Sequence, residues 1–159
     1  MSGFDIDVAT LEDAVRSFIQ TFKRPQHWTQ VVTRSGVSLD RPSAIILQTL
    51  LANKPRKLRV QDLAQQLGIE PPSITRKTQQ LEEAGCLKRQ VDANDRRATT
   101  LEVTAYGKRA ADKLWTAHRQ IMSDALRSWP ASERHTFVKL FQKFADDMSM
   151  ISTKQPIKK

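Results

Sequence analysis

The residues around Arg76 could do one kind of chemistry, hydrogen bonding to flat and repeating acceptors. Ser73, Thr75, Arg76, Lys77, Gln79 and Gln80 crowd the stretch from Pro71 to Ala84, and Asp95, Arg96 and Arg97 follow soon after. A guanidinium presents parallel donors that match O6 and N7 of guanine, and a glutamine amide pairs similarly with adenine. Arg76 suits the first task, and Gln79 or Gln80 the second. Ser73, Thr75 and Lys77 are better suited to phosphates or to softer base contacts. A carboxylate near phosphate would repel it, so Asp95 is expected to orient an arginine, with Arg97 the nearest fit, by a charge-assisted hydrogen bond. An arginine held in that way gains from the negative potential of a narrow minor groove. On an isolated helix the same side chains would read as a solvated face. Their neighbours change that reading.

Bond-breaking chemistry has no comparable support. The chain has no Gly-rich phosphate loop, nucleophile elbow or paired metal-ligand motif, so no enzyme, cofactor or metal site is expected. His27, His118 and His135 are scattered, and no spacing among them or with Cys86 suggests zinc. Cys86 stands alone, which excludes an intrachain disulfide and fits a reducing compartment. The acidic start MSGFDIDVATLED lacks a signal pattern, and no apolar run approaches the roughly 20 residues that span a bilayer. A soluble, cytoplasmic protein without membrane contact is the expectation.

The elements that must position these residues follow from periodicity. Val60–Leu67 reads as a short helix with Leu63, Ala64 and Leu67 inward, and Gly68 stands where the chain must turn sharply. A second helix covers Pro71 to about Ala84, with Ile74, Thr78 and Leu81 inward and Arg76, Gln79 and Glu83 opposite. Cys86–Val91 and Thr99–Val103 read as strands joined by the turn residues Asp92-Ala93-Asn94-Asp95. Helix, turn, helix and charged hairpin together predict a winged helix-turn-helix over residues 58–104. The fold class is mainly α with a small β component (α+β).

Outside that region a first helix is expected from Thr10, with Asp13 as an acidic capping-box partner, ending before Pro25. Arg24–Leu39 reads as a connector, and a buried helix opens at Asp40 and stops at Asn53-Lys54-Pro55. Thr104 is the expected N-cap of a long helix reaching Trp129, and Pro130 separates it from a last helix over about Ser132–Ile151. Residues 9–53 and 104–152 therefore supply helices for core and dimerisation, and 153–159 a basic tail. The apolar stripes of the terminal helices exceed what a compact winged domain can cover. A homodimer is the expected solution, and it would set two recognition helices one DNA turn apart.

Charge supports a polyanionic partner only weakly. The net +9 is uneven: residues 1–53 hold five Lys/Arg and five Asp/Glu, 54–103 ten and seven, and 104–159 eleven and five. The winged region is mildly basic, so its cations must act by placement.

The segment PPSITRKTQQLEEAGCLKRQVDANDRRATTLEVTAYGK resembles the MarR family of bacterial transcription regulators, most closely from Leu58 to Gly107. The resemblance rests on the helix end Leu81-Glu82-x-x-Gly85, the wing Asp95-Arg96-Arg97 and the sequence Thr104-x-x-Gly107. It implies an obligate homodimer with intertwined terminal helices that binds double-stranded DNA at a pseudo-palindromic operator. It further implies a repressor released by a small ligand, an oxidant or a metal. Ser73, Thr75 and Arg76 match its DNA-contacting positions, and Asp95 and Arg97 its wing pair. Its ligand pocket lies between dimer helices and winged domain, with His27, Trp28, Tyr106 and Trp115 as candidates for the walls around a small aromatic effector. Each of the four also fits plain core or interface packing. A winged-helix module that holds protein or RNA without operator specificity is the alternative. Three positions depart from the family pattern: Arg59 at a usual Thr or Ser N-cap, the pair Pro71-Pro72, and Cys86 at a usual leucine.

Overall fold

Apolar residues at helical spacing give seven helices among the described residues, with one hairpin between the fifth and sixth. The computed structural model describes residues 3–54, 57–91 and 99–154. Helix α1 spans Gly3–Lys23, α2 Pro25–Ser35, α3 Arg41–Ala52, α4 Val60–Leu67 and α5 Pro71–Glu83. Strands β1 (Leu87–Val91) and β2 (Thr99–Val103) precede α6 (Ala105–Ala125) and α7 (Ala131–Lys154). Residues up to Arg119 form one compact unit and those from Gln120 a second.

Two expectations at the N-terminal end are corrected. Helix α1 begins well before Thr10, because Val8 continues the stripe of Leu11, Val15 and Phe18, and the Thr10–Asp13 pair lies mid-helix. The presumed connector Arg24–Leu39 contains α2. Pro25 does not merely stop α1 but occupies the first turn of α2, where its missing N–H costs nothing. Gly36 closes that helix at φ 65°, with its N–H on the Val32 carbonyl at 3.0 Å.

The first unit is organised around Ile46 and Leu47 of α3, Leu63 of α4, Ile74 and Leu81 of α5, and Leu101 of β2, all buried. Asp40 caps α3 by accepting the Ser43 N–H at 2.9 Å. Arg59 cannot cap α4 with its own side chain, so the other half of a capping box works there: its N–H donates to the Asp62 carboxylate at 3.0 Å. In the hairpin Leu87 faces Val103, Arg89 faces Leu101 and Val91 faces Thr99, antiparallel. Leu58 adds an isolated bridge to Leu101, tying the segment ahead of α4 to the wing.

The junction of wing and α6 is tight. The Thr104 hydroxyl accepts the Gly107 N–H at 3.0 Å and donates to the Gly85 carbonyl at 2.7 Å. A Cβ on Gly107 would stand 2.1 Å from the Cys86 carbonyl oxygen, so the Thr104-x-x-Gly107 sequence permits a contact no other residue allows.

Helix α6 ends at Ala125 rather than Trp129, and tight turns carry the chain on to Pro130. In the second unit Trp129 packs edge-on against Phe137, which stacks on Phe141 at 5.6 Å. Phe137, Leu140, Phe141, Met148 and Ile151 of α7 stay exposed, as do Val8, Leu11, Phe18 and Ile19 of α1. Among the described residues no helix is long and apolar enough to cross a membrane.

Candidate nucleic-acid interface

Helix α5 has one buried face and one exposed face. Ile74, Thr78 and Leu81 are each 1% exposed and bolt its underside to α3 and α4. The buried Thr78 hydroxyl is satisfied by the Thr75 carbonyl at 3.0 Å, so it costs no orphaned donor. On the opposite face Ser73, Thr75, Arg76, Gln79 and Gln80 are all exposed. The Thr75 hydroxyl donates to the Pro71 carbonyl at 2.9 Å, and the Gln79 amide donates to the Glu83 carboxylate at 3.2 Å.

Both ends of this helix are held by backbone geometry. Gly68 takes φ 63°, letting Ile69 N–H reach the Ala64 carbonyl at 3.0 Å and turning the chain from α4 into α5. At the far end Gly85 takes φ 70°, and Cys86 N–H bonds the Leu81 carbonyl at 2.8 Å, closing the Leu81-Glu82-x-x-Gly85 sequence as a Schellman stop. Pro71 and Pro72 supply no N–H, and those of Ser73 and Ile74 both go to the Glu70 carbonyl, at 3.0 and 3.3 Å. A phosphate at this end would therefore meet hydroxyls rather than the usual helix N–H groups.

Lys77 stands apart from its neighbours. Its side chain is 23% exposed, and its ammonium is ion-paired with the Asp40 carboxylate at the start of α3. Burial raises the Asp40 carboxyl, but the hydrogen bonds from Lys77 and Ser43 outweigh it and hold the group below the usual carboxylate range. Sequence reasoning gave Asp40 only as the opening of a buried helix.

At the wing's base, Lys88 and Lys57 flank Glu102 at 3.3 and 3.7 Å, and Arg89 pairs with Glu82 of α5 at 3.0 Å. The hydrogen bond from Lys88, with the charges of Lys57 and Lys54 added, holds the Glu102 carboxyl low. The Arg89–Glu82 pair fastens the hairpin to α5. Asp95, Arg96 and Arg97 lie outside the described residues.

The four aromatic candidates divide. His27 and Trp115 meet through His118: His27 Nε2 lies 3.3 Å from His118 Nδ1, and Trp115 packs edge-on against His118 at 5.4 Å. Phe22 closes the cluster, 4.6 Å from the His27 ring. Burial, and then the Arg41 charge, hold His27 below the usual imidazole range; burial, His27 and Arg41 do the same to His118. Trp28 instead donates its indole N–H to the Leu39 carbonyl at 2.9 Å. Tyr106 is on a separate cleft of about 420 Å³, with Arg109, Lys113 and the α2–α3 loop. Cys86 is buried there, and desolvation pushes its thiol up, away from the reactive thiolate. Among the described residues no group of three or more His, Cys, Asp or Glu is placed to hold a metal.

Helix, glycine turn, helix and hairpin, with apolar underside and polar upper face, define a winged helix-turn-helix protein. Residues 39–99 match the model of the MarR family. A MarR family protein from Bacillus stearothermophilus superposes with a TM-score of 0.80 at 20% identity, covering 94% of this chain and 99% of that one. YusO from Bacillus subtilis gives 0.69 at 18%, covering 92% and 99%. A mutant of S. aureus MepR bound to an oligodeoxyribonucleotide gives 0.61 at 19%, covering 91% and 98%. Residues 39–99 thus match the MarR family model, and the chain has the fold of those solved proteins.

Proposed function

We propose that the protein is a sequence-specific regulator of transcription that binds double-stranded DNA as a homodimer. The observation that carries this reading is the division of α5. Its underside is locked into the core, and Ser73, Thr75, Arg76, Gln79 and Gln80 project from a helix that a major groove can admit. That a MarR-like protein of the same fold has been solved with an oligodeoxyribonucleotide supports it. In this proposal Arg76 reads a guanine, Gln79 or Gln80 an adenine, and Ser73 and Thr75 touch phosphate or soft base positions. Arg97, oriented by Asp95, enters the adjacent minor groove, with Arg96 beside it.

The dimer is proposed from apolar surface. Exposed Phe137, Leu140, Phe141 and Ile151 on α7, and Leu11, Phe18 and Ile19 on α1, are large side chains that single soluble chains usually cover. A two-fold dimer would cover them and read a pseudo-palindrome. We further propose repression relieved by a small aromatic effector, received by the cluster of His27 and Trp115, by Tyr106, or beside Trp28.

Selection of bound duplexes from a random pool, at two salt concentrations, tests this reading. Enrichment of an inverted repeat that survives the higher salt is the expected result. Equal retention of all duplexes, or none, would sink it in favour of a module that holds protein or RNA.

A further inference from the structure

The recognition helix carries two adjacent cations, and the fold treats them in opposite ways. Arg76 is exposed. Lys77, about 100° further round the helix, is drawn back towards α3, its side chain 23% exposed. There its ammonium meets Asp40 Oδ2, while Asp40 Oδ1 accepts the Ser43 N–H at 2.9 Å. One carboxylate therefore caps α3 and holds the middle of α5 at once.

We infer that Asp40 is a specificity-setting residue: it keeps the Lys77 ammonium off the DNA backbone, so that α5 offers base-reading groups without added sequence-independent affinity. This rests on the proposal that α5 reads a duplex. Phosphate neutralisation supplies most of non-specific binding, whereas base contacts discriminate. A helix that withholds a cation gives up indiscriminate affinity and keeps discrimination. Asp40 touches no DNA in this scheme; it acts through Lys77.

The test is a charge cycle on the full-length chain, read as the salt dependence of binding to a random duplex and to a selected one. Asp40→Asn keeps a side-chain oxygen for Ser43, since asparagine caps helices as well as aspartate, and it releases Lys77. The slope of log K against log salt should steepen by about 0.9, the value for one more neutralised phosphate. Random duplex should gain more than the selected one, so the ratio of the two affinities falls. Lys77→Gln alone should leave the slope as in the wild type, because that cation is not in use. The double variant should return to the wild-type slope. Were Asp40 merely a repulsive charge near DNA, the steepening would persist in the Lys77→Gln background, and the inference would fail. It also fails if Lys77→Gln alone flattens the slope by about 0.9, which would make Lys77 a direct phosphate contact. Asp40→Ser, another good cap, repeats the measurement should the asparagine variant melt early. A wild type that binds no duplex would refute the proposed function itself, whereas binding with unchanged slopes refutes only the role of Asp40.

Discussion

Replacing Gly107 by alanine tests whether the wing is seated on α6 as described. The new Cβ would lie 2.1 Å from the Cys86 carbonyl oxygen, 2.8 Å from its carbon and 3.0 Å from its Cα. Real Cβ–oxygen contacts are about an ångström longer, so backbone must move. Cys86 is poorly free to do so: its N–H is bonded to Leu81 at 2.8 Å, and its carbonyl accepts the Thr104 N–H at 3.0 Å. Alanine's better helix propensity returns at most about 1 kcal/mol, and less in a first turn. Overpacking a rigid site costs about 1–3 kcal/mol or more, so the clash wins. For a chain of this length each kcal/mol moves the melting temperature by about 2–4 °C. Far-UV circular dichroism melts should therefore show a drop of several degrees. An unchanged or raised melting temperature would refute the packing of Gly107 on Cys86.

Other consequences can be checked alongside. Both His27 and His118 are held below the usual value of 6.5, so the folded pair takes up protons less readily than the unfolded chain. Its stabilisation is then complete above about pH 6.5 and lost as pH falls from there through the lowered folded values. Urea unfolding of wild type and His118→Phe between pH 7.5 and 5.5 should show a shallower pH dependence in the variant; equal dependence would mean the pair does not titrate as a unit. Deleting residues 132–159 should leave a monomer by sedimentation and abolish tight operator binding. A truncated chain that sediments as a dimer would place the interface elsewhere. Arg97→Ala should weaken operator binding at near-physiological salt without lowering the melting temperature, and unchanged affinity would remove the wing from the interface.

The helix-turn-helix was legible in the sequence because its apolar spacing and its glycine stops agreed. Leu63, Ala64, Ile74, Thr78 and Leu81 recur at helical spacing, Gly68 and Gly85 stand at the stops, and Thr104 caps the next helix. Helix α2 was not legible, since its apolar signal is little more than Val31, Val32 and Trp28 and its proline reads equally as an end or a start. Thr10–Asp13 imitates a helix start, and only the extra turns before it show otherwise. The Asp40–Lys77 pair joins residues 37 apart and the His27–His118 pair residues 91 apart. No local pattern encodes such meetings; they follow from helices packing in three dimensions.

If the exposed face of α5 reads base pairs, Arg76 is its sharpest probe. The direct measurement is the affinity of wild type and Arg76→Ala for a selected operator and for each of its single base-pair variants. The variant should lose about 1–3 kcal/mol on the operator and become indifferent to one symmetry-related pair of positions, with other preferences intact. A uniform loss across all duplexes, or none at any position, would contradict it.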